Sequence, residues 1–201
     1  MKIFFAALAA LLLSAPAGAE TTAPDAMIRQ LCDDVIASIR QDSAIRAGDW
    51  SHISALVESK IVPHFDFRRT TQMALGRAWR EATPQEKEEL TRQFKQLLIR
   101  TYAGALSSYT DQRIEVRPPR AKPQDDEVTV KSVIRQPGAE AIDIDYDLER
   151  AEDGWKIFDV RVAGVSLVAT YRTSFAEEVR NHGVQGLIEA LAAKNRERAR
   201  T

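Results

Sequence analysis

The chain has 201 residues, with 28 lysines and arginines against 29 aspartates and glutamates, so its formal net charge is −1. That balance offers no basic field for nucleic acid, and no basic stripe with interleaved aromatics runs through the sequence. The 44% hydrophobic and 28% charged contents are ordinary, which makes one globular domain the default.

Residues 1–19 read as a secretory signal peptide. Lys2 gives a positive start, Ile3 to Leu13 is an apolar run short for a bilayer span, and Ala17-Gly18-Ala19 is an A-x-A cleavage site before Glu20. Cleavage after Ala19 would release the remainder, residues 20–201, outside the cytoplasm as a single domain; about 49–82 form a candidate small helical subdomain. Cys32 is the only cysteine, so no internal disulfide forms. It lies beyond the cleavage site among Ile28, Leu31, Val35 and Ile36, as a small apolar residue of a helix.

Helical periodicity runs through the first half. Pro24 to Ala47 is a first helix with Ile28, Leu31, Val35 and Ile39 on one face, stopped by Gly48. Asp49 or Ser51 caps a second, Ile53 to about Val62, which Pro63 ends. Asp66 is the N-cap of a third, running through Met73 and Leu75 toward Trp79, with Gly76 weakening or bending it. Thr83 to Tyr109 is the dominant stretch: Thr83 and Glu86 make a capping box around Pro84. Leu90, Phe94, Leu97, Leu98, Tyr102, Ala105, Leu106 and Tyr109 then keep one face. An uninterrupted helix of that length would be about 40 Å long.

After Tyr109 the period changes to two. Arg113–Arg117, Glu127–Arg135, Ala141–Glu149 and Trp155–Val162 read as four strands. In the third, Ile142, Ile144, Tyr146 and Leu148 alternate with Asp143, Asp145, Asp147 and Glu149, so one face is buried and one wet, as an antiparallel sheet allows. The fourth is apolar on both faces and reads as central. A closing helix follows Ser166, with Leu167, Val168, Tyr171, Phe175 and Val179 inward and Gly183 after its end. A short helix near Leu187–Ala193 and a basic tail finish the chain. The fold class is α+β: N-terminal helices, a long central helix and a closing helix on a twisted four-stranded antiparallel sheet.

Catalytic chemistry is sparse. His52, His64 and His182 have no partner at metal-ligand spacing, so no metal is assigned. Gly164-Val165-Ser166-Leu167-Val168 departs from the G-x-S-x-G nucleophile elbow at Val168, and no parallel sheet surrounds it; Ser166 reads as an N-cap. The acidic row on the third strand keeps its side chains about 7 Å apart, which suits a solvated face better than an ion site. Asp159 with a tyrosine inside a curved sheet is the alternative of a small isomerase-type site. The surplus is aromatic and aliphatic, and periodicity does not distinguish a filled core from one that encloses an apolar ligand.

Several motifs together resemble the periplasmic MlaC family, the toluene-tolerance proteins. They are Phe65-Asp66, Leu75-Gly76, Trp79-Arg80, Arg100-Thr101-Tyr102 and Gly164-Val165-Ser166-Leu167, within the stretches His64–Leu106 and Gly154–Phe175, with Gly183–Leu191 at the end. The resemblance implies a non-enzymatic phospholipid carrier, NTF2-like in outline, holding acyl chains between sheet and helices. No cofactor is implied; phospholipid is the cargo. The implied partners are an outer-membrane lipoprotein–porin complex of the MlaA type and the MCE protein, of the MlaD type, of an inner-membrane ABC transporter that maintains outer-membrane lipid asymmetry. The carrier is expected to be a monomer. Two tails of about thirty methylenes are worth roughly 25 kcal/mol in a bilayer, so a carrier must enclose them almost wholly. On apolar phase, the expected walls are Leu75, Trp79, Leu98, Tyr102, Leu106, Ile144, Tyr146, Val160, Leu167, Val168, Tyr171 and Phe175. Gly164, Val165 and Ser166 are the expected docking contact, and Arg80 and Arg172 are candidates for headgroup phosphate. A small isomerase or hydrolase, or a lipid-free adaptor with a filled core, are the alternatives.

Overall fold

A computed structural model describes residues 22–120, 122 and 124–198; the signal-peptide segment 1–19 lies outside them. The helices are α1 (Pro24–Gln41), α2 (Ser43–Arg46), α3 (Trp50–Leu56), α4 (Phe67–Leu75), α5 (Arg77–Glu81), α6 (Pro84–Tyr102) and α7 (Leu167–Glu197). The strands are β1 (Arg113–Arg117), β2 (Glu127–Arg135), β3 (Ile142–Ala151), β4 (Gly154–Val162) and β5 (Val165–Ser166), antiparallel in the order β1-β2-β3-β4-β5. The α+β architecture stands.

Side-chain chemistry sets the helix starts. Thr83 Oγ1 accepts from the Glu86 amide while Glu86 returns its carboxylate to the Thr83 amide, closing the capping box of α6. Asp49 and Asp66 cap α3 and α4. Asp42 accepts from the Ala44 and Ile45 amides, which starts a new turn and ends the first helix at Gln41, short of Ala47. Gly76, at φ 56°, separates α4 from α5.

The long helix also divides. It is α-helical to Tyr102, then tightens to a 3-10 segment, Ala103–Ser108. Gly104 and the serine pair weaken the α register there, and Ser107 Oγ donates to the Gly104 carbonyl at 2.7 Å. After α3 the backbone opens into a π-helical turn, Val57–Ile61, and then a 3-10 turn, Val62–His64. The closing helix and the short last helix are one run, α7, kinked at Gly183, which sits at φ 71° and ψ −177°.

The sheet has a fifth, two-residue strand beyond the four expected. Ala163 (φ 49°) and Gly164 (φ 81°) make a two-residue turn with both φ positive, and it folds Val165 back onto Val162. Strand β4 is therefore next to the edge; its outer side meets β5 at one end and Phe65, bridged to Ile157, at the other. Register puts Ile114, Ile134 and Ile142 in one row of the inner face, and Val130, Tyr146 and Val160 in another. Phe158 is an extra residue at a bulge opposite Asp147/Leu148, which bends the sheet. Thr70 Oγ1 donates to the Phe158 carbonyl at 2.9 Å, and the Arg69 guanidinium stacks 3.8 Å from the Phe158 ring.

The outer face is ionic. Arg161 pairs with Asp145 and Asp147, Lys131 with Asp145, and Arg69 with Glu127 and Glu149. The acidic row is thus held by cations along the same face, and no cluster of metal-ligating side chains occurs among the described residues.

Three apolar clusters fill the interior. One joins α4 and α5 to α6 and α7 through Leu75, Trp79, Leu90, Phe94, Val168 and Phe175. A second lays α1 on the sheet, Ile28 and Leu31 against Val130, Leu148 and Ile157. The third gathers Ile39, Ile45, Ile53, Leu56, Val57 and Ala103. No helix of the described residues is long and apolar enough to cross a membrane.

Candidate functional site

Where these clusters meet, side chains leave two cavities. The smaller, about 170 Å³, lies among the irregular turns after α3, the end of α6, β4 and the start of α7. Val57, Ile61, Val62, Phe65 and Phe67 form one side; Leu98, Ile99, Tyr102, Ala103 and Leu106 form another, and Val160 and Leu167 complete it. Every lining side chain is a hydrocarbon apart from the Tyr102 phenol. The larger cavity, about 420 Å³, lies between α1 and the inner face of β1–β3. Leu31, Cys32, Val35, Ile36 and Ile39 line it from the helix, and Ile114, Ile134, Ile142 and Tyr146 from the sheet. Its polar members are Ser108, Tyr109, Gln112, Gln136 and Glu140. Ile61 and Leu106 belong to both walls.

The backbone breaks described above border this space. Ile61 ends the π turn and Leu106 lies in the 3-10 segment, and both side chains line both cavities.

The Tyr102 and Tyr146 phenols and the Cys32 thiol are neutral near pH 7. Burial, then the neighbouring Tyr171, pushes the Tyr102 phenol up to about 12. Burial also pushes up the Tyr146 phenol and the Cys32 thiol. Cys32 Sγ and the Tyr146 hydroxyl face each other at 4.0 Å. Such walls solvate hydrocarbon and offer no nucleophile with an adjacent base.

Six of the twelve expected wall residues line this space: Leu98, Tyr102, Leu106, Val160 and Leu167 at the smaller cavity, and Leu106 with Tyr146 at the larger. Leu75, Trp79, Val168, Tyr171 and Phe175 instead belong to the filled helical cluster, where Phe94 meets the Tyr171 and Phe175 rings edge-on, each at 5.0 Å. Ile144 is buried on the sheet and lines neither cavity. Arg80 and Arg172 are exposed and line neither. Sequence reasoning missed the α1 wall and the Val57–Phe67 wall. One signal was present: residues 28, 31, 32, 35, 36 and 39 make an apolar stripe wider than one packing contact needs.

Val165 is 62% exposed and Val162 37%, paired on the sheet face that carries the cavities, two residues from Leu167. Ser166 accepts from the Ala169 amide as N-cap of α7 and donates to Asp159. Asp159, 6% exposed, also accepts from the Val160 and Val168 amides, so its carboxylate is a fastener for the α7 start. His182 bonds Glu178, and His52 bonds Asp42.

The family model of the MlaC protein matches residues 29–193. The chain belongs to the MlaC family. That span contains every residue lining the two cavities of this MlaC-family chain. It is similar to the intermembrane phospholipid transport system binding protein MlaC of Haemophilus influenzae, with 21% identity over 187 residues, 92% of this chain and 87% of that protein. It is also similar to the toluene tolerance protein ttg2D of Pseudomonas putida, with 30% identity over 104 residues, 52% of this chain and 48% of that protein. Among solved structures it resembles the phospholipid-binding protein of Ralstonia solanacearum, determined in complex with a phospholipid. There the TM-score is 0.82 at 39% identity, covering 88% of this chain and 99% of the other.

Proposed function

We propose that this MlaC-family chain is a periplasmic carrier that takes phospholipid between the outer and inner membranes and does no chemistry on it. The observation that carries the reading is the pair of neighbouring apolar cavities meeting at Ile61 and Leu106. The Tyr102 and Tyr146 phenols in their walls are neutral near pH 7, and the fold is shared with a protein solved with phospholipid bound. The signal-peptide pattern of residues 1–19 supports the compartment. The predominantly apolar lining answers the energetic demand: about 0.8 kcal/mol per methylene must be matched, or the lipid returns to the nearest bilayer.

The exchange partners in this reading are an MlaA-type lipoprotein–porin complex at the outer membrane and an MlaD-type MCE protein at the inner. Gly164, Val165 and Ser166 are the docking contact, and the exposed Val165 beside the cavity wall supports it.

Solvent extraction of the purified protein followed by mass spectrometry tests the cargo. Stoichiometric phospholipid is expected, and Leu98→Asp, which puts a carboxylate into the smaller cavity, is expected to remove most of it. Protein that carries no lipid and takes none from vesicles, or a Leu98→Asp variant with an unchanged load, would refute the reading.

A further inference from the structure

The two cavities differ in size and in lining. An apolar cavity of ~150 Å³ takes up one benzene, so on that scale 420 Å³ has room for about 16 carbons and 170 Å³ for about seven. The first is the size of a whole acyl chain; the second holds less than half of one.

The larger cavity is also graded from polar to apolar. Gln112 immediately precedes β1 and Gln136 immediately follows β2, so both lie at the same end of the sheet, with the exposed Ile142 opposite Ile134. Gln112 Nε2 donates to Gln136 Oε1 at 3.2 Å. The Tyr109 hydroxyl donates to the Gln112 carbonyl at 3.0 Å and accepts from Arg40 at 3.1 Å. Tyr146 sits farther along the sheet, facing Cys32. The polar side chains Ser108, Tyr109, Gln112, Gln136 and Glu140 collect at the Gln112 end, and the remaining walls are apolar apart from the Cys32 thiol and the Tyr146 hydroxyl, which is the polarity of an amphiphile with one tail.

The partition is narrow. Ile61 and Leu106 are the side chains shared by the two walls, and each comes from backbone that is not α-helical.

We infer that the larger cavity is a subsite of its own for one unbranched acyl chain with a small polar head, so that the protein also binds single-chain amphiphiles such as a long-chain fatty acid. Ile61 and Leu106 keep that chain out of the smaller cavity. The inference rests on the carrier reading in that one tail of a phospholipid uses this subsite and the other requires the smaller cavity.

The test is calorimetric titration of lipid-stripped protein with saturated fatty acids from octanoate to arachidate. One fatty acid binds per chain, its affinity rises about fourfold per added methylene, and the rise levels off near 16 carbons. Ile36→Trp, which takes up part of the larger cavity, weakens palmitate by at least about tenfold, on the order of two lost methylenes. Leu167→Trp, which takes up part of the smaller one, leaves palmitate binding in place and lowers the phospholipid that co-purifies. Ile61→Ala combined with Leu106→Ala moves the plateau to longer chains. If Ile36→Trp does not fold, Ala105→Trp blocks the same cavity from an exposed position. Unchanged palmitate binding by the blocked variant, or affinity that climbs without a plateau, overturns the subsite. Phospholipid that co-purifies with protein unable to bind palmitate overturns the subsite and leaves the carrier reading standing. Palmitate binding without any phospholipid binding supports the subsite and overturns the carrier reading.

Discussion

Ser166 and Asp159 hold each other across the turn between β4 and α7. The Ser166 hydroxyl donates to Asp159 Oδ2 and accepts from the Ala169 amide at 2.9 Å, while Asp159 Oδ1 takes the Val168 amide at 3.2 Å. Ser166→Ala removes an N-cap and one of the donors to a buried carboxylate. The expected loss is about 2–3 kcal/mol, read as a shift of the urea midpoint. Ser166→Thr keeps the hydroxyl and recovers most of it. A Ser166→Ala midpoint equal to wild type would mean that the hydroxyl contributes nothing here.

The same fastener presents Val165. Its 62% exposure means that Val165→Glu changes stability by less than about 0.5 kcal/mol. In the docking proposal it leaves the lipid load intact and abolishes capture by an MCE-domain protein in a pull-down. Normal capture by a folded, lipid-loaded variant would remove Val165 from the contact.

Phe175 and Leu98 share helical apolar phase and differ in what they face. Phe175, 4% exposed, meets Phe94 edge-on, so Phe175→Ala is expected to cost about 3–5 kcal/mol by leaving a cavity in a filled cluster. Leu98→Ala enlarges space that already exists, so it costs less, about 1–2 kcal/mol. Thermal melts of the two variants decide it; equal losses would place both in the same kind of packing.

That pair explains what could be read from the amino-acid sequence. Local rules were enough for the capping box at Thr83, the caps Asp66 and Ser166, and the alternation of β3, because each depends on a few neighbouring residues; they left Asp49 and Ser51 both open as the cap of α3, and Asp49 takes it. Helical phase put Tyr171, Phe175, Leu98 and Tyr102 on inward faces, but whether an inward face meets another side chain or open space depends on elements far away in the chain. The breaks that decide it were illegible for the same reason. The π turn at Val57–Ile61 has no residue signature, and the turn that makes β5 uses Ala163 and Gly164 where Asn-Gly or Asp-Gly would have signalled a hairpin. Cys32 reads as a small apolar residue in either setting; only the structure turns it toward Tyr146.

Gly183 supplies the kink of α7. At φ 71° and ψ −177° the backbone favours glycine, although a Cβ there would meet nothing within 4 Å. Gly183→Ala is therefore expected to cost about 1–3 kcal/mol through backbone strain alone. The kink lets Leu187, Ile188 and Leu191 reach the cluster that also holds Phe175. A stability within about 0.3 kcal/mol of wild type, from chemical denaturation, would show that the helix can straighten without losing that packing.

His52 and Asp42 give the stability a pH signature. His52 Nδ1 lies 2.7 Å from Asp42 Oδ2. The hydrogen bond to Asp42, with its charge and that of Asp49, raises the imidazole above its ordinary 6.5. The bond to His52, with the Ala44 and Ile45 amides, holds the Asp42 carboxyl below its ordinary 3.8. For the raised base, the stabilisation is complete below 6.5 and fades as pH rises through the folded-state value. For the depressed acid, it is complete above 3.8 and fades as pH falls through the lower folded-state value. The difference between wild type and His52→Asn should therefore be largest and flat between 3.8 and 6.5 and shrink on both sides. Both groups are solvent-exposed, so added salt shrinks the plateau as well. Urea midpoints of the two proteins across this range measure it, and a difference that does not vary with pH would show that the pair is not formed in solution.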